Sequence, residues 1–174
     1  MAKKVNAHVA AADPAPGGPV SLPLENSVGY QVRLTHQLIQ RKLRSRIAPY
    51  GVQLGMWYLL RILWDEDGLT QRQLSQRIGI MEPTTLPTIA AMERSGLIKR
   101  ARNVADRRKM NVSLTRKGRQ LQDVLIPVDV DVVNDVVRGF TEEEKQQFLE
   151  FLRAIQRNLG RPPTWKNPSR STIS

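Results

Sequence analysis

The chain has 174 residues, of which 25% are charged, with a net charge of +11 and no cysteine. This length suits one domain or two small lobes, and the missing cysteines exclude disulfides, thiolate catalysis and cysteine–zinc sites. The two histidines cannot form a metal cluster, and the longest apolar run is too short to cross a bilayer. We therefore expect a cytoplasmic protein without a metal or a cofactor.

The first predicted structured segment follows an N-terminal arm. Residues 1–22 are rich in Ala, Pro and Gly and predict disorder, as do the prolines and serines of the tail at 161–174. Between Glu25 and Pro49, apolar residues recur at helical spacing and predict an amphipathic helix. Leu54 to Trp64 is apolar nearly all round, which predicts a short buried helix.

Two short helices joined by a tight turn are predicted next. Thr70 and Gln73 form a capping-box pattern at the start of the first helix, and Gly79 ends it. Pro83 suits the first position of the second helix, and Gly96 closes that helix. The predicted buried stripe of the second helix consists of Leu86, Ile89 and Ala90.

Pro87 conflicts with a regular second helix, because proline lacks a backbone donor and crowds the preceding turn. Two interpretations are open. Either the regular helix begins nearer Thr84, so that Pro87 lies in its first turn, or the helix is bent.

A basic hairpin is predicted from two stretches that alternate apolar and polar residues, Leu97–Arg102 and Met110–Leu114. From Lys99 to Arg119 there are nine basic residues and one acid, a net charge of 9 − 1 = +8. From Gln120 to Phe151 there are two basic residues and eight acids, a net charge of 2 − 8 = −6. Positive charge concentrated in one block indicates a polyanion-binding face.

Two helices are predicted after the hairpin. Thr115 can cap a long helix that we expect to kink near Pro127, although residues 128–133, VDVDVV, also alternate like a strand. Thr141 and Glu144 repeat the capping-box pattern at the start of the last helix. The apolar stripe of that helix consists of Phe148, Leu152, Ile155 and Leu159.

The order of these elements predicts a mainly α protein with a small β-hairpin wing. Residues 51–115 form the predicted winged helix-turn-helix domain, in which a helix enters the DNA major groove and a basic hairpin reaches an adjacent minor groove. Residues 23–50 and 116–160 form a predicted helical dimerisation region, because apolar stripes outside the reading domain need a partner.

The stretch GLIKRARNVADRRKMNVSLTRKGR, residues 96–119, resembles the wing of MarR-type transcriptional regulators, and LTQRQLSQRIGIMEPTTLPTIAAMERSGLI, residues 69–98, resembles their helix-turn-helix. The resemblance extends from about Val28 to Leu159. Pro87 departs from the family pattern, which generally has a helix-compatible polar residue there. The resemblance implies a homodimer that binds pseudo-palindromic double-stranded operator DNA as a repressor and releases it when a small organic anion binds.

The expected DNA-contacting residues lie on the two short helices and the hairpin. Threonine hydroxyls and methyls suit base edges, although Thr84 or Thr85 can instead cap the helix, and any one basic residue can instead be merely solvated. By position in the family, Arg108 is expected in the minor groove and Asp106 in a salt bridge at the hairpin tip. The DNA-binding candidates are Arg72, Arg77, Thr84, Thr85, Thr88, Lys99, Arg102, Arg107, Arg108 and Lys109.

An effector pocket is predicted where cations of the first helix meet aromatic residues of the second. Its candidate residues are His36, Arg46, Met56 and Trp57, for an aromatic acid or its CoA thioester. Alternatively, Met56 and Trp57 are ordinary core, and the chain is a constitutive or architectural DNA-binding protein without an effector. An RNA-binding winged helix fits less well, since the A-form major groove is narrow. No motif indicates an enzyme.

Overall fold

The computed structural model describes residues 23–160, which form two compact units that divide after Gln37. The first unit contains a 3-10 turn, Leu24–Asn26, and the start of helix α1, Val28–Ile47. The predicted N-terminal arm and C-terminal tail lie outside the described residues. No helix within residues 23–160 has both the length and the apolar character needed to cross a membrane.

The second unit begins at Leu38 and contains the rest of α1 and all later elements. Residues 23–160 are mainly α-helical with one antiparallel hairpin, which confirms the predicted fold class. After a 3-10 turn at Ala48–Tyr50, the elements are α2 Leu54–Asp65, α3 Gln71–Ile78, α4 Glu82–Arg94, β1 Ile98–Arg102, β2 Met110–Leu114, α5 Arg116–Val136 and α6 Glu142–Asn158.

Helix α2 lies at the centre of the hydrophobic core, as its apolar composition predicts. It contacts α3, α4, α5 and β2, and Leu59, Leu60 and Leu63 are almost completely buried. Complete burial of one such side chain contributes about 1.5–3 kcal/mol relative to exposure. Ile89 of α4 and Val112 of β2 belong to the same core, so the helix-turn-helix and the hairpin pack on one hydrophobic core.

The predicted helix ends are confirmed by their hydrogen bonds. Thr70 and Thr141 each cap a helix in a complete capping box, with Gln73 and Glu144 as the reciprocal partners. Gly79 follows α3 in the left-handed conformation, with a φ of 74° that glycine adopts without strain. The turn between α3 and α4 is therefore the three residues 79–81.

Helix α4 differs from prediction in its start and in its buried face. It begins at Glu82, so Pro83 is its second residue and Pro87 its sixth, and the helix continues to Arg94. The interpretation that the regular helix begins nearer Thr84 is therefore wrong. Of the predicted stripe, Ile89 is buried and Ala90 is half-buried, whereas Leu86 is exposed; the other buried residues of the helix are Thr85 and Met92.

The hairpin has the predicted strands, with Ile98 opposite Leu114 and Arg102 opposite Met110. A third segment extends its edge: the Val112 N–H donates to the Leu69 carbonyl at 2.8 Å, and Thr70 bridges Asn111. This extra pairing ties the hairpin to the start of α3, so the wing has a defined position relative to the helix-turn-helix.

Residues 128–133 are helical, as predicted, because α5 continues through Pro127 to Val136. Gly118, in the first turn of α5, has a role that the sequence pattern does not show. A Cβ at Gly118 would lie 2.1 Å from the Leu97 carbonyl oxygen, so only glycine allows α5 to approach the chain at the base of the hairpin. The Gly118 carbonyl also accepts a 2.9 Å hydrogen bond from Trp64 Nε1.

Candidate nucleic-acid interface

Helix α4 is fixed against α3 by a buried polar contact. The hydroxyls of Ser75 and Thr85 lie 2.5 Å apart, and both residues are buried. The Ser75 hydroxyl also lies 3.0 Å from the Gln71 carbonyl, and the Thr85 hydroxyl lies 2.9 Å from the Glu82 carbonyl. Since each hydroxyl has one proton, one of the two donates to its carbonyl and the other donates to the neighbouring hydroxyl. Because both hydroxyls have partners, burying them carries little desolvation penalty and fixes the rotation of α4.

This rotation corrects the expected DNA-facing side of α4. Thr85 is 3% exposed and turned toward α3, so its predicted contact with DNA is wrong. The Thr88 side chain is half-buried and lies 3.3 Å from the position of a Cβ on Gly55, which places it against α2. Of the three predicted threonines, Thr84 alone is fully exposed.

The tip of the wing, residues 103–109, is closed by side chains that bind the backbone. Asn103 Oδ1 accepts 2.9 Å hydrogen bonds from the N–H groups of Ala105 and Asp106. Asp106 Oδ1 accepts from the backbone N–H and the Nε of Arg108, each at 3.1 Å, and Asp106 Oδ2 lies 3.3 Å from Lys109 Nζ. The ion pair expected at the tip is thus present between Asp106 and Arg108.

The same contacts set the protonation of the tip carboxylate. Hydrogen bonds from the Arg108 side chain and backbone, followed by one from Lys109, hold the pKa of Asp106 below its ordinary value of 3.8. Asp106 is therefore ionised throughout the physiological range. The Arg108 side chain is nevertheless 91% exposed, so its guanidinium edge stays available on the outer side.

The basic residues near the wing fall into two groups. Arg100 is committed to a two-point contact with Glu93 of α4, at 2.8 and 2.5 Å, and Arg77 forms an ion pair with Glu66. A phosphate contact by Arg77 would require that this pair break. Within residues 23–160, the remaining candidates are exposed and form no ion pair with a carboxylate; they are Arg72, Lys99, Arg102 and Arg107.

A cleft of about 680 Å³ lies between the start of α3 and the wing. Arg72 and Gln73 line it from α3, Glu82 from the start of α4, and Arg108 and Lys109 from the wing. The twelve lining residues include three cations and two acids, Glu82 and Asp106, so the lining has a net charge of 3 − 2 = +1, and its cations can contact a backbone that carries phosphates.

Two residues that organise this surface were missed from the sequence. Asp67, which is not among the predicted site residues, accepts a 2.8 Å hydrogen bond from the Leu114 N–H and pairs with Arg119 at 2.6 Å. Asn103 is likewise not among the predicted site residues. An asparagine that opens a short charged loop is a known signal for a side-chain–backbone turn, and that signal could have identified Asn103.

The predicted effector residues divide between the two units. His36 lies in α1 within the first unit, whereas Arg46, Met56 and Trp57 belong to the second. Met56 and Trp57 are buried in the hydrophobic core, with Trp57 edge-on to Trp64 at 5.7 Å. Arg46 lies 3.5 Å from Asp131 in an exposed ion pair. An effector role for these four residues stays a prediction.

The sequence profile of the MarR family matches residues 54–110, which extend from α2 to the start of β2. The chain is 27% identical over 138 residues to the HTH-type transcriptional regulator TtmR of Methylorubrum extorquens. That alignment covers 78% of this chain and 69% of TtmR. The residues that match the family profile therefore include the helix-turn-helix, β1 and the tip of the wing.

Solved structures share the fold over most of the described chain. A MarR transcriptional regulator from Methanosarcina mazei Go1 has a TM-score of 0.71 at 26% identity, over 75% of this chain and 94% of its own. CouR from Rhodococcus jostii RHA1 bound to p-coumaroyl-CoA has a TM-score of 0.69 at 18% identity, over 78% of this chain and 95% of CouR. MepR in the S. aureus MepR–DNA complex has a TM-score of 0.71 at 22% identity, over 76% of this chain and 98% of MepR.

Proposed function

We propose, from the match of residues 54–110 to the MarR family and from the winged helix-turn-helix fold, that this chain is a homodimeric transcriptional repressor. In this proposal it binds pseudo-palindromic operator DNA and is released by a small organic anion. One observation carries the DNA-binding part: a closed, cationic wing lies beside the exposed start of α4 in one compact unit. MepR, a structural neighbour, was solved in complex with DNA, which supports the same partner here.

The wing supports DNA binding through charge placed where a duplex backbone and groove can reach it. Arg107 and Arg108 are both exposed, and Asp106 fixes the tip without neutralising the whole cluster. Arginine inserted into a narrow minor groove meets enhanced negative potential. Lys99 and Arg102 extend the positive surface along β1 toward the base of the hairpin.

Apolar residues of α5 and α6 that no other part of residues 23–160 covers support the dimer. Helix α6 buries none of its residues, although Phe148, Leu149 and Phe151 give it a large apolar surface. Val133 and Val136 near the end of α5 are exposed as well. Large apolar surface of this kind is usually covered by a partner, and a two-fold copy would place two reading helices about one DNA turn, roughly 34 Å, apart.

An organic anion as effector rests on the cations of α1 and on a structural neighbour. Lys42 and Arg46 form exposed ion pairs with Asp135 and Asp131 of α5, and such pairs exchange partners at little cost. CouR was solved with p-coumaroyl-CoA, an aromatic thioester of the class we propose. The effector acts only if it binds the DNA-incompatible arrangement of the dimer more tightly than the compatible one.

DNA binding and assembly are tested together with the full chain. Selection from a random duplex library should enrich a two-fold symmetric sequence, and sedimentation should give a particle near twice 19.7 kDa. Ile155→Glu should lower the dimer population and the affinity for the selected duplex. Glu150→Lys, a charge change at an exposed position of α6, is the control and should leave both unchanged. A monomer that retains tight binding would contradict the proposal.

The effector is tested with p-coumaric acid, p-coumaroyl-CoA and related aromatic acids, first by thermal shift and then by DNA release. A coupling of about 1–3 kcal/mol would change DNA affinity roughly 5- to 150-fold. His36→Ala and Arg46→Ala should keep DNA binding but respond poorly. If no compound shifts melting, or one binds without altering DNA affinity, the chain is a constitutive DNA-binding protein instead.

A further inference from the structure

The start of α4 presents an apolar surface where a DNA-reading helix ordinarily presents hydrogen-bonding side chains. Ile80 and Met81 in the preceding turn are 44% and 78% exposed, and Leu86 is 38% exposed. Pro83 and Pro87, one turn apart on the helix, are exposed on the same side. We define these five residues as the apolar cap.

Hydrogen-bonding groups are scarce around the apolar cap. From residue 80 to residue 88, the polar side chains are Glu82, Thr84, Thr85 and Thr88. Thr85 is buried against Ser75, and Thr88 lies against α2. Glu82 is half-buried and lines the cleft toward the wing. Thr84 is left as the one fully exposed hydrogen-bonding side chain of this segment.

The cap is bordered by cations, which makes DNA its fitting occupant. Arg72 of α3 and Arg108 of the wing are exposed and line the same cleft as Glu82, the first residue of α4. A protein partner that covered the cap would have to bury these cations beside an apolar patch, at a high desolvation cost. A duplex instead supplies phosphates at the border and a groove at the centre, which matches the observed charge.

We propose, on the basis of the DNA-binding function proposed above, that α4 reads the major groove chiefly through the 5-methyl groups of thymine. Thymine is the one base that presents an apolar group in that groove, whereas the other base edges are read by hydrogen bonds. The Thr84 methyl and the Leu86 side chain are the contacting groups. Pro87 strengthens this preference, since its ring adds apolar surface to the exposed side of the helix.

The direct test modifies single bases in a duplex selected with the full chain. Deoxyuridine in place of thymine removes only the 5-methyl, and 7-deazapurines remove only the N7 acceptor of the major groove. Each contacted methyl should contribute about fourfold in affinity. Replacing at least one thymine in each half-site should have this effect, whereas 7-deazapurine substitutions within the reading-helix contact should change affinity less than twofold.

Two variants of Thr84 assign the contact. Thr84→Ser keeps the hydroxyl and deletes the methyl, and Thr84→Val keeps the methyl and deletes the hydroxyl. Because Thr84 is exposed, neither substitution should affect the fold. Thr84→Val should bind like the parent, and Thr84→Ser should lose affinity on the thymine duplex but not on the deoxyuridine duplex. Such non-additivity identifies groups in contact.

The outcomes separate this inference from the function on which it rests. If 7-deazapurines cost tenfold or more while deoxyuridine costs nothing, or if the library enriches no sequence although duplexes bind, the thymine contact is overturned and DNA binding stands. If the full chain binds no duplex from the library, the proposed function itself fails.

Discussion

The wing and the reading helix belong to the same compact unit, yet they are built from opposite chemistry. The wing tip consists of hydrogen bonds and ion pairs around Asn103 and Asp106, and it exposes two arginines. The start of α4 exposes prolines, Leu86 and a single threonine. Charge attracts any duplex, whereas an apolar contact is favourable only where a matching surface exists, so affinity and sequence preference can reside in different elements.

The two regions are also held in place differently. The wing is anchored through the backbone, by Asp67 at its base and by the close approach of Gly118 to the Leu97 carbonyl. The reading helix is anchored through side chains, by Thr85 against Ser75 and by Thr88 over Gly55. A backbone contact cannot relax as readily as a side chain, so the wing base should tolerate substitution less well.

The largest expected difference in stability is between two glycine-to-alanine substitutions, one at the anchor of the wing and one at the anchor of α4. Gly118→Ala places a Cβ 2.1 Å from a backbone oxygen and should lower the free energy of unfolding by about 3 kcal/mol. Gly55→Ala meets the Thr88 side chain at 3.3 Å, which can shift, and should cost less than about 1 kcal/mol. Urea unfolding of both variants measures the difference. Equal losses would contradict the distinction between the two anchors.

A smaller effect is expected when the side-chain anchor of α4 loses a hydroxyl. Thr85→Val keeps the shape of the side chain and removes its contacts with Ser75 and the Glu82 carbonyl. The expected loss of stability is about 1 kcal/mol, because Ser75 still bonds Gln71. DNA affinity, measured where the variant is fully folded, should change less than twofold. A large loss of affinity at unchanged stability would mean that Thr85 contacts DNA after all.

The smallest effect concerns the pH dependence of the wing tip. The pKa of Asp106 is lowered, chiefly by its hydrogen bonds with Arg108. Above the ordinary value of 3.8, Asp106 is ionised and its contacts with Arg108 and Lys109 stabilise the wing tip. Those contacts are lost only as the pH falls through the pKa of Asp106 in the folded chain, which lies below 3.8. A carboxyl NMR titration should therefore give a midpoint below 3.8, and DNA affinity should not change between pH 5 and 8 through this group. A midpoint above 3.8 would show that the ion pair is absent in solution.

Sequence patterns predicted the elements well because their signals are local. Capping boxes at Thr70 and Thr141, and alternation on both sides of the basic cluster, depend on residues close together in the chain. The rotation of α4 was mispredicted because a buried threonine is acceptable only with a partner, and that partner, Ser75, lies on another helix. The role of Gly118 could not be predicted for a similar reason, since the oxygen that excludes a side chain belongs to Leu97, which is distant in the chain.

The division of labour between wing and reading helix is tested most directly by one comparison of affinities. The parent, an Arg107→Ala/Arg108→Ala variant and Leu86→Ala are each titrated with the selected duplex and with a scrambled duplex that keeps the same A·T content at the ends. The wing variant should lower affinity for both duplexes by a similar factor, about 5- to 150-fold, since it loses contacts worth about 1–3 kcal/mol. Leu86→Ala should lower affinity for the selected duplex alone. A wing variant that abolishes the preference between the duplexes, or a Leu86→Ala variant that binds both more weakly by the same factor, would contradict this assignment.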